Sequence, residues 1–254
     1  MRLFGATDLD LLEGLLNQHL GSPFFVKDRD FRYVAANRAM ARLCGLTAAR
    51  ELVGRRAGEF FGAELASHYE NLDAAVLRTG RALTNVLEPT VPQNGGRVWL
   101  LFTRLPLRDP NGVVVGVAAN ARQLPGGDAT EACYLRLKAA SEHLRLGFDQ
   151  QVSIREISGR IGTSITQLER DFQRVFGMTP SAFLDSIRIE SAKALLMGQS
   201  MSVAQVAHSC GYSDHSAFSR RFSKEVGMTP IQYRRGYRAP AMAEQDMPSP
   251  SRLR

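Results

Sequence analysis

The chain lacks the sequence features of membrane proteins, disulfide-rich secreted proteins and metalloproteins. It has no apolar run of about 18 residues, the length that a transmembrane helix needs, and residues 1–10 lack the apolar core of a signal peptide. Its three cysteines, Cys44, Cys133 and Cys210, are widely separated and follow neither a disulfide framework nor a metal-ligand spacing. We therefore expect a cytoplasmic protein with reduced cysteines, no membrane contact, no bound metal and no cofactor.

The sequence is also poor in catalytic motifs. Its five histidines are scattered, and it contains neither a nucleophile elbow nor a glycine-rich phosphate loop, so it does not predict an enzyme. Residues 138–238 carry 14 basic and 9 acidic side chains, which is +5 of the formal net charge of +7. A phosphate-binding surface would need its charge there, although a solvated basic face would carry the same charge.

This basic region contains one pattern written twice. Gly162-Thr-Ser164 and Gly177-Met-Thr-Pro180 in the first copy correspond to Gly211-Tyr-Ser213 and Gly227-Met-Thr-Pro230 in the second. The offset is 49 positions at the first motif and 50 at the second, so one residue is inserted between them. Two helices joined by a short turn with a glycine form a helix-turn-helix. Two copies are too few for a solenoid, and we predict two tandem helix-turn-helix units.

Turn and cap residues set the predicted boundaries of each unit. Gly162 suits the left-handed conformation that ends a helix, and Gly211 has the same place in the second copy. Ser164 is predicted to cap the next helix, with Gln167 completing a capping box. Ser213 is the corresponding cap in the second copy. Apolar residues at helical spacing then form a buried stripe in each second helix, namely Leu168, Phe172 and Phe176 in the first copy and Phe218, Phe222 and Val226 in the second.

The opposite face of each second helix has the composition of a DNA-reading surface. Arginine can bind guanine bidentately, glutamine can bind adenine, and serine and threonine accept either. An ordinary solvated face is the alternative for one helix, but the composition recurs in both copies. The basic residues would contact bases or phosphates, the other polar residues would read base edges, and the two serine caps would place backbone amides near phosphate. The predicted DNA-binding residues are Ser164, Thr166, Gln167, Arg170, Arg174, Ser213, His215, Ser216, Ser219, Arg220 and Lys224.

A single long helix is predicted between the two units. Thr179 caps it, Pro180 occupies its first turn, and Gly198 ends it. About 17 residues at 1.5 Å each make a spacer of about 26 Å. Such a spacer could hold two recognition helices in successive major grooves on one face of DNA, which lie about 34 Å apart.

The front half of the chain predicts an α+β fold, a five-stranded antiparallel sheet with helices gathered on one face. An amphipathic helix is expected over residues 7–21, and Asn37 should cap a further helix. Strong turn sequences separate the last three strands. The predicted strands cover residues 24–26, 31–36, 82–91, 97–107 and 113–121, and further helical segments cover 47–52, 63–79 and 133–148, the last with Leu135, Ala139, Leu144 and Leu146 on its apolar side.

Residues 138–238 resemble the AraC/XylS-type DNA-binding domain, in which one long helix joins two helix-turn-helix units. The resemblance rests on the two Gly-Met-Thr-Pro motifs, Gly211-Tyr-Ser213, Phe218-Ser-Arg-Arg-Phe222 and Gln232-Tyr-Arg234. Ser158-Gly159 departs from the family pattern, and a glycine within a helix costs about 1 kcal/mol relative to alanine. The family implies double-stranded DNA at two adjacent major grooves, RNA polymerase as a partner, and activation more often than repression.

Residues 8–122 resemble a PAS domain, a five-stranded sensor fold. The resemblance rests on Phe24-Phe-Val-Lys-Asp28, Pro106-Leu-Arg-Asp109 and Gly112-Val-Val-Val-Gly116. It implies a small-molecule ligand between helices and sheet, or homodimerisation. Cofactor-binding residues stay unknown. Candidates weighed against plain core or surface roles are Cys44, which is not in a flavin-type segment, His68 as a haem ligand, and Tyr33, Trp99 and Phe102 as a pocket lining.

We therefore predict a PAS-like sensor domain in residues 1–125, a linker in 126–137, the double helix-turn-helix domain in 138–238 and a disordered tail in 239–254. The function predicted for this arrangement is a sequence-specific DNA-binding transcription regulator, an activator by family analogy. The alternative is a protein-interaction adaptor that uses the sensor-like domain and the helical repeat without DNA specificity.

Overall fold

A computed structural model describes Gly14, Asn17 and residues 21–92, 95–125, 131–198 and 200–236. In the helix predicted over residues 7–21, Gly14 and Asn17 are helical and Gly21 lies in a turn, and the other residues of that helix lie outside the described residues. The predicted tail, 239–254, also lies outside them.

Five strands form one antiparallel sheet, as the sequence predicted. Their order is β2-β1-β5-β4-β3. The hairpin and the meander are local pairings, whereas β1 joins β5 across the chain, with Val26 opposite Ala118. The strands are β1 (Phe24–Asp28), β2 (Tyr33–Ala36), β3 (Leu83–Thr90), β4 (Val98–Arg108) and β5 (Val114–Gln123).

Helices cover the inner face of this sheet. They are α1 (Arg38–Leu43) and α2 (Ala63–Thr79), with short 3-10 segments at Ala49–Leu52 and Ala57–Glu59. Asn37 caps α1 as predicted: its Oδ1 accepts from the backbone N–H groups of Met40 and Phe24, both at 3.0 Å. One side chain therefore starts the helix and fixes it to the first strand.

Seven helices follow in residues 131–198 and 200–236. They are α3 (Glu131–Leu146), α4 (Ile154–Arg160), α5 (Ile165–Phe176), α6 (Pro180–Met197), α7 (Val203–Ser209), α8 (His215–Val226) and α9 (Pro230–Gly236). The pairs α4–α5 and α7–α8 are the two predicted helix-turn-helix units, and α6 is the predicted spacer.

The helix α3 differs from its prediction in extent and in orientation. It begins at Glu131, inside the stretch 126–137 that we expected to be a linker. It buries Cys133 and Leu137 against the sheet and the first unit. Of the four residues expected on its apolar side, Leu144 is buried and Leu135, Ala139 and Leu146 are exposed, so the prediction was wrong for these three. The buried positions include alanine, serine and cysteine, whose weak hydrophobicity does not mark a face.

Three hydrophobic clusters divide the molecule. The first lies between α1, α2 and the inner face of the sheet, around Phe25, Tyr33 and Phe102. The second joins the outer face of the sheet to α3 and the first helix-turn-helix unit. The third belongs to the second half of α6 and the second unit, around Phe218 and Phe222.

Candidate nucleic-acid interface

The first unit has the predicted turn and cap. Gly162 adopts φ 69° in the turn after α4, following the C-cap residue Ile161, and Ser164 Oγ accepts from the Gln167 backbone N–H at 3.2 Å at the start of α5. The Gln167 side-chain oxygen instead accepts from Arg170 Nη1 at 3.5 Å, so the reciprocal arm of the predicted capping box is not formed. The serine cap alone satisfies one of the free N–H groups of the first turn.

The second unit corrects one predicted residue. Asp214, not Ser213, caps α8: its carboxylate accepts from the backbone N–H groups of Ser216 at 3.0 Å and Ala217 at 2.9 Å. The physical reason is the inserted residue, which precedes the cap and moves the start of α8 one position along the chain. At the offset of 50, Ser164 corresponds to Asp214.

The predicted polar faces are exposed on both second helices. Leu168 and Phe172 in α5, and Phe218 and Phe222 in α8, are buried as predicted. The opposite side chains, at helical spacing, are exposed or half-buried in the same pattern. At the offset of 50, Thr166 corresponds to Ser216, Arg170 to Arg220 and Arg174 to Lys224.

Arg174 is the member of this face with a firm intramolecular contact. Its Nη2 donates to Asp171 Oδ1 at 3.0 Å and lies 3.1 Å from Cys133 Sγ of α3. The side chain remains 54% exposed. This arginine therefore lies at the edge of the face, beside α3, while Arg170 and Thr166 lie nearer its centre.

The remaining predicted residues of the second unit surround the start and centre of α8. His215, Ser216, Arg220 and Lys224 are exposed, and Ser219 is half-buried. Ser213 is exposed in the turn before the cap. The structure thus brings the predicted residues of α8 to one solvent-facing surface, with Ser213 beside it.

Electrostatics distinguishes the two helix starts. The backbone N–H groups of Ser216 and Ala217 hold the pKa of the Asp214 carboxyl below its ordinary value, so this cap is ionised at neutral pH. An ionised cap saturates the amides that an incoming phosphate would use, and it repels phosphate. Ser164 carries no charge, so the start of α5 is the better of the two phosphate sites.

The spacer α6 positions the second unit. It has 18 residues, so its length is about 27 Å, and Thr179 caps it by accepting from the Ala182 N–H at 3.2 Å. Asp185 in α6 forms an ion pair with Arg221 of α8 at 3.1 Å. Arg188 donates to the backbone carbonyls of Phe148 and Gln150 at 2.8 and 2.9 Å.

A second candidate site lies in the first domain, and the protein's own side chains fill most of it. Four charged side chains are buried between α2 and the sheet: Lys27 Nζ donates to Asp73 at 2.7 Å, and Arg104 donates to Asp73 at 3.0 Å and bidentately to Glu88. The cavity beside them, lined by Tyr33 and the aromatic rings around it, is about 10 Å³, room for about one water.

The cofactor candidates weighed from the sequence have ordinary positions here. Cys44 is fully buried, and burial raises the pKa of its thiol to about 12, so it behaves as a small hydrophobic residue. His68 lines an outer groove with Arg97 and Lys138, not the cavity between helices and sheet. Phe102 and Tyr33 line that cavity. Trp99 instead packs on Tyr134 of α3, with the two ring centroids 5.4 Å apart.

Sequence reasoning missed two kinds of residue. Asp214 had a usable signal, because aspartate is a favoured cap and the repeat offset pointed to it. The arginines that join the first domain to the first unit, Arg122 and Arg145, had no local signal, because their partners are backbone carbonyls distant in sequence.

Family comparisons agree with the two halves of the molecule. Residues 157–236 match the family model described as a helix-turn-helix domain, and residues 18–124 match that of the PAS fold. Among the described residues, no helix is both long and apolar enough to cross a membrane.

Related proteins match over about half of the chain. The HTH-type transcriptional activator RhaS of Escherichia fergusonii is 34% identical over 113 residues, 44% of this chain and 40% of that protein. The HTH-type transcriptional activator RhaR of Yersinia pseudotuberculosis is 32% identical over 132 residues, 52% of this chain and 43% of that protein. The match thus spans less than half the length of these curated relatives.

A crystal structure of a transcriptional regulator with an AraC-type DNA-binding domain, from Chromobacterium violaceum, is also similar. It is 28% identical, with 42% of this chain and 95% of that chain covered and a TM-score of 0.40.

Proposed function

We propose that this protein is a sequence-specific DNA-binding transcription regulator. It joins a PAS fold at residues 18–124 to an AraC-type helix-turn-helix domain at residues 157–236. The observation that carries the proposal is the repeated polar face of α5 and α8. Both helices expose an arginine at the same place, Arg170 and Arg220, opposite the apolar stripe that the helix buries.

The proposed roles follow the position of each side chain on this face. Arg170 and Arg220, in the centre, would bind bases, and Arg174 and Lys224 would contact bases or phosphates nearer the edge. Thr166, Gln167, His215, Ser216 and Ser219 would read base edges. Ser164 would cap α5 and present its first amides to phosphate, and Ser213 would be a turn contact without the capping role.

The first domain would supply the signal. We propose that the chain is divided into a sensor domain at 1–125, a connecting segment at 126–137 and a DNA-binding domain at 138–238. We also propose that the protein is cytoplasmic, acts as an activator and contacts RNA polymerase. The similar RhaS and RhaR proteins are named transcriptional activators, which supports activation here and gives no support to an enzyme. A small-molecule ligand or a second copy of the chain would act through the sensor domain.

An unbiased DNA selection with the full-length protein tests the proposal. We expect one recurring motif of two boxes about 10 base pairs apart, because α5 and α8 would enter successive major grooves. Absence of any enriched motif at low salt would reject DNA reading and favour the adaptor alternative.

Two variants then assign the boxes. Arg170→Ala and Arg220→Ala should each weaken binding by about 1–3 kcal/mol and relax the base preference in a different box. Arg78→Ala, at an exposed arginine in the last turn of α2, is the matched control and should leave both boxes intact. A uniform loss across all sequences would make the arginine a phosphate contact instead.

A further inference from the structure

An arginine of the sensor sheet binds the C-terminal end of the first recognition helix. Arg122 in β5 donates from Nη2 to the backbone carbonyl of Val175 at 2.9 Å. Val175 lies in the last turn of α5, where carbonyls have no partner within the helix. A cation is also favoured at the negative end of the helix dipole. A residue distant from the polar face is thus attached to the helix that carries it.

The contact lies over a shared hydrophobic core. The second cluster contains Leu101 and Leu124 from the sheet side together with Leu168 and Phe172 of α5. Leu101 is directly opposite Arg122 in the pairing of β4 with β5. The sheet and α5 therefore share one hydrophobic cluster in addition to the hydrogen bond.

A second arginine fixes the same junction from the other side. Arg145 of α3 is half-buried, and desolvation lowers the pKa of its guanidinium to about 10. It donates to the backbone carbonyls of Thr84 and Asn85. Asn85 has φ 56°, at an irregularity in the pairing of β3 with β4. The guanidinium also lies 4.9 Å from the centre of the ring of Phe183, a residue of α6 in the second hydrophobic cluster.

The second recognition helix is held differently. The third cluster consists of residues from Ile189 onward, and α8 is attached to the spacer through the ion pair between Arg221 and Asp185. The sensor domain reaches the second half of α6 through Arg81 Nη1, which donates to Ser191 Oγ at 3.4 Å, but it contributes no residue to this cluster as described. The two helices with equivalent sequences therefore have unequal supports.

We infer that Arg122 is a positioning residue for the first recognition helix, through which the sensor sheet sets how α5 reads its box while α8 reads independently. The inference rests on the proposed function. The connection runs through β4. Leu101 belongs to the hydrophobic cluster that also contains residues of α5, and its neighbour Phe102 lines the sensor cavity, because successive side chains of a strand point to opposite faces.

The test measures base discrimination box by box with the full chain. Arg122→Met should lower discrimination by about tenfold, about what one base contact supplies, in the box assigned to α5 by Arg170→Ala. The box assigned to α8 should be unchanged. Arg122→Lys, which keeps a donor, should restore part of the loss. Arg108→Met is the matched control, since Arg108 of the same sheet donates to the carbonyls of Gly80 and Gly112 within the sensor domain.

Suppose that the Arg122→Met protein has the wild-type melting temperature. Unchanged base discrimination in the α5 box, or an equal loss of discrimination in both boxes, would then overturn the inference. If the melting temperature falls, amide hydrogen exchange decides. Faster exchange in the last turn of α5 with unchanged exchange in α8 supports the inference, and equal change in both rejects it. This exchange measurement needs no DNA, so it separates failure of the inference from failure of the proposed function.

Discussion

Gly162 and Gly211 occupy the same place in the two helix-turn-helix turns but have different surroundings. Both have positive φ, 69° and 78°. A Cβ at Gly162 would have open space, whereas a Cβ at Gly211 would lie 2.6 Å from the Phe148 carbonyl oxygen and 2.9 Å from Arg188 Nη2. The carbonyl is held in place, because Arg188 Nε donates to it at 2.8 Å.

Alanine at these two positions should therefore differ in cost. An L-residue in the left-handed region costs about 1–2 kcal/mol, which applies to both variants. Forcing an extra methyl into a packed site adds about 1–3 kcal/mol, which applies to Gly211→Ala alone. We expect a loss of about 1–2 kcal/mol for Gly162→Ala and about 2–5 kcal/mol for Gly211→Ala.

Urea unfolding followed by circular dichroism at 222 nm measures the difference, since both units are helical. The slope of free energy against urea must be the same in the two variants for the comparison to hold. An equal loss in both would mean that the loop at Phe148 moves away at little cost, and the steric reasoning would be refuted.

Three further predictions concern charge. Glu88→Gln should lower the free energy of unfolding by about 3–5 kcal/mol, because it leaves part of the buried Arg104 charge unpaired; a loss below about 1 kcal/mol in urea unfolding would contradict this. Burial raises the pKa of Cys44 and of Tyr69 to about 12, from ordinary values of 9.0 and 10.0. Above pH 9 the unfolded chain therefore binds fewer protons than the folded one, and the unfolding free energy should fall steadily as pH rises towards 12; a flat profile from thermal melts would refute it. Asp214→Asn should keep an acceptor for the cap while removing a negative charge beside the proposed phosphate contacts, so DNA affinity in titrations at low salt should rise several-fold; unchanged affinity would place Asp214 away from DNA.

Prediction from sequence succeeded where the cause is local. Asn37 and Thr179 cap their helices because each side chain reaches an N–H three residues on. The two apolar stripes are buried as their spacing predicts, except that Val226 is half-buried. The prediction that Ser213 caps α8 was wrong for a local reason too, since it placed the inserted residue of the second copy after the cap instead of before it.

Other features could not be read from local patterns. The buried face of α3 carries Cys133 and Ser141 while Leu135 is exposed, so hydrophobicity within the helix favoured the wrong side. Lys27 and Arg104 are polar residues in a core, and they are accommodated only because Asp73 and Glu88 arrive from other elements to pair with them.

The sequence by itself determined the order of strands and helices, the double helix-turn-helix repeat and the residues exposed on its two polar faces, because hydrophobic period and capping act over a few residues. The tertiary structure decided the pairing of β1 with β5, the buried charge network and the attachment of Arg122 to Val175. These depend on contacts between segments distant in the chain, such as Lys27 with Asp73, 46 positions apart, and Val26 with Ala118, 92 positions apart, and no local pattern selects such partners.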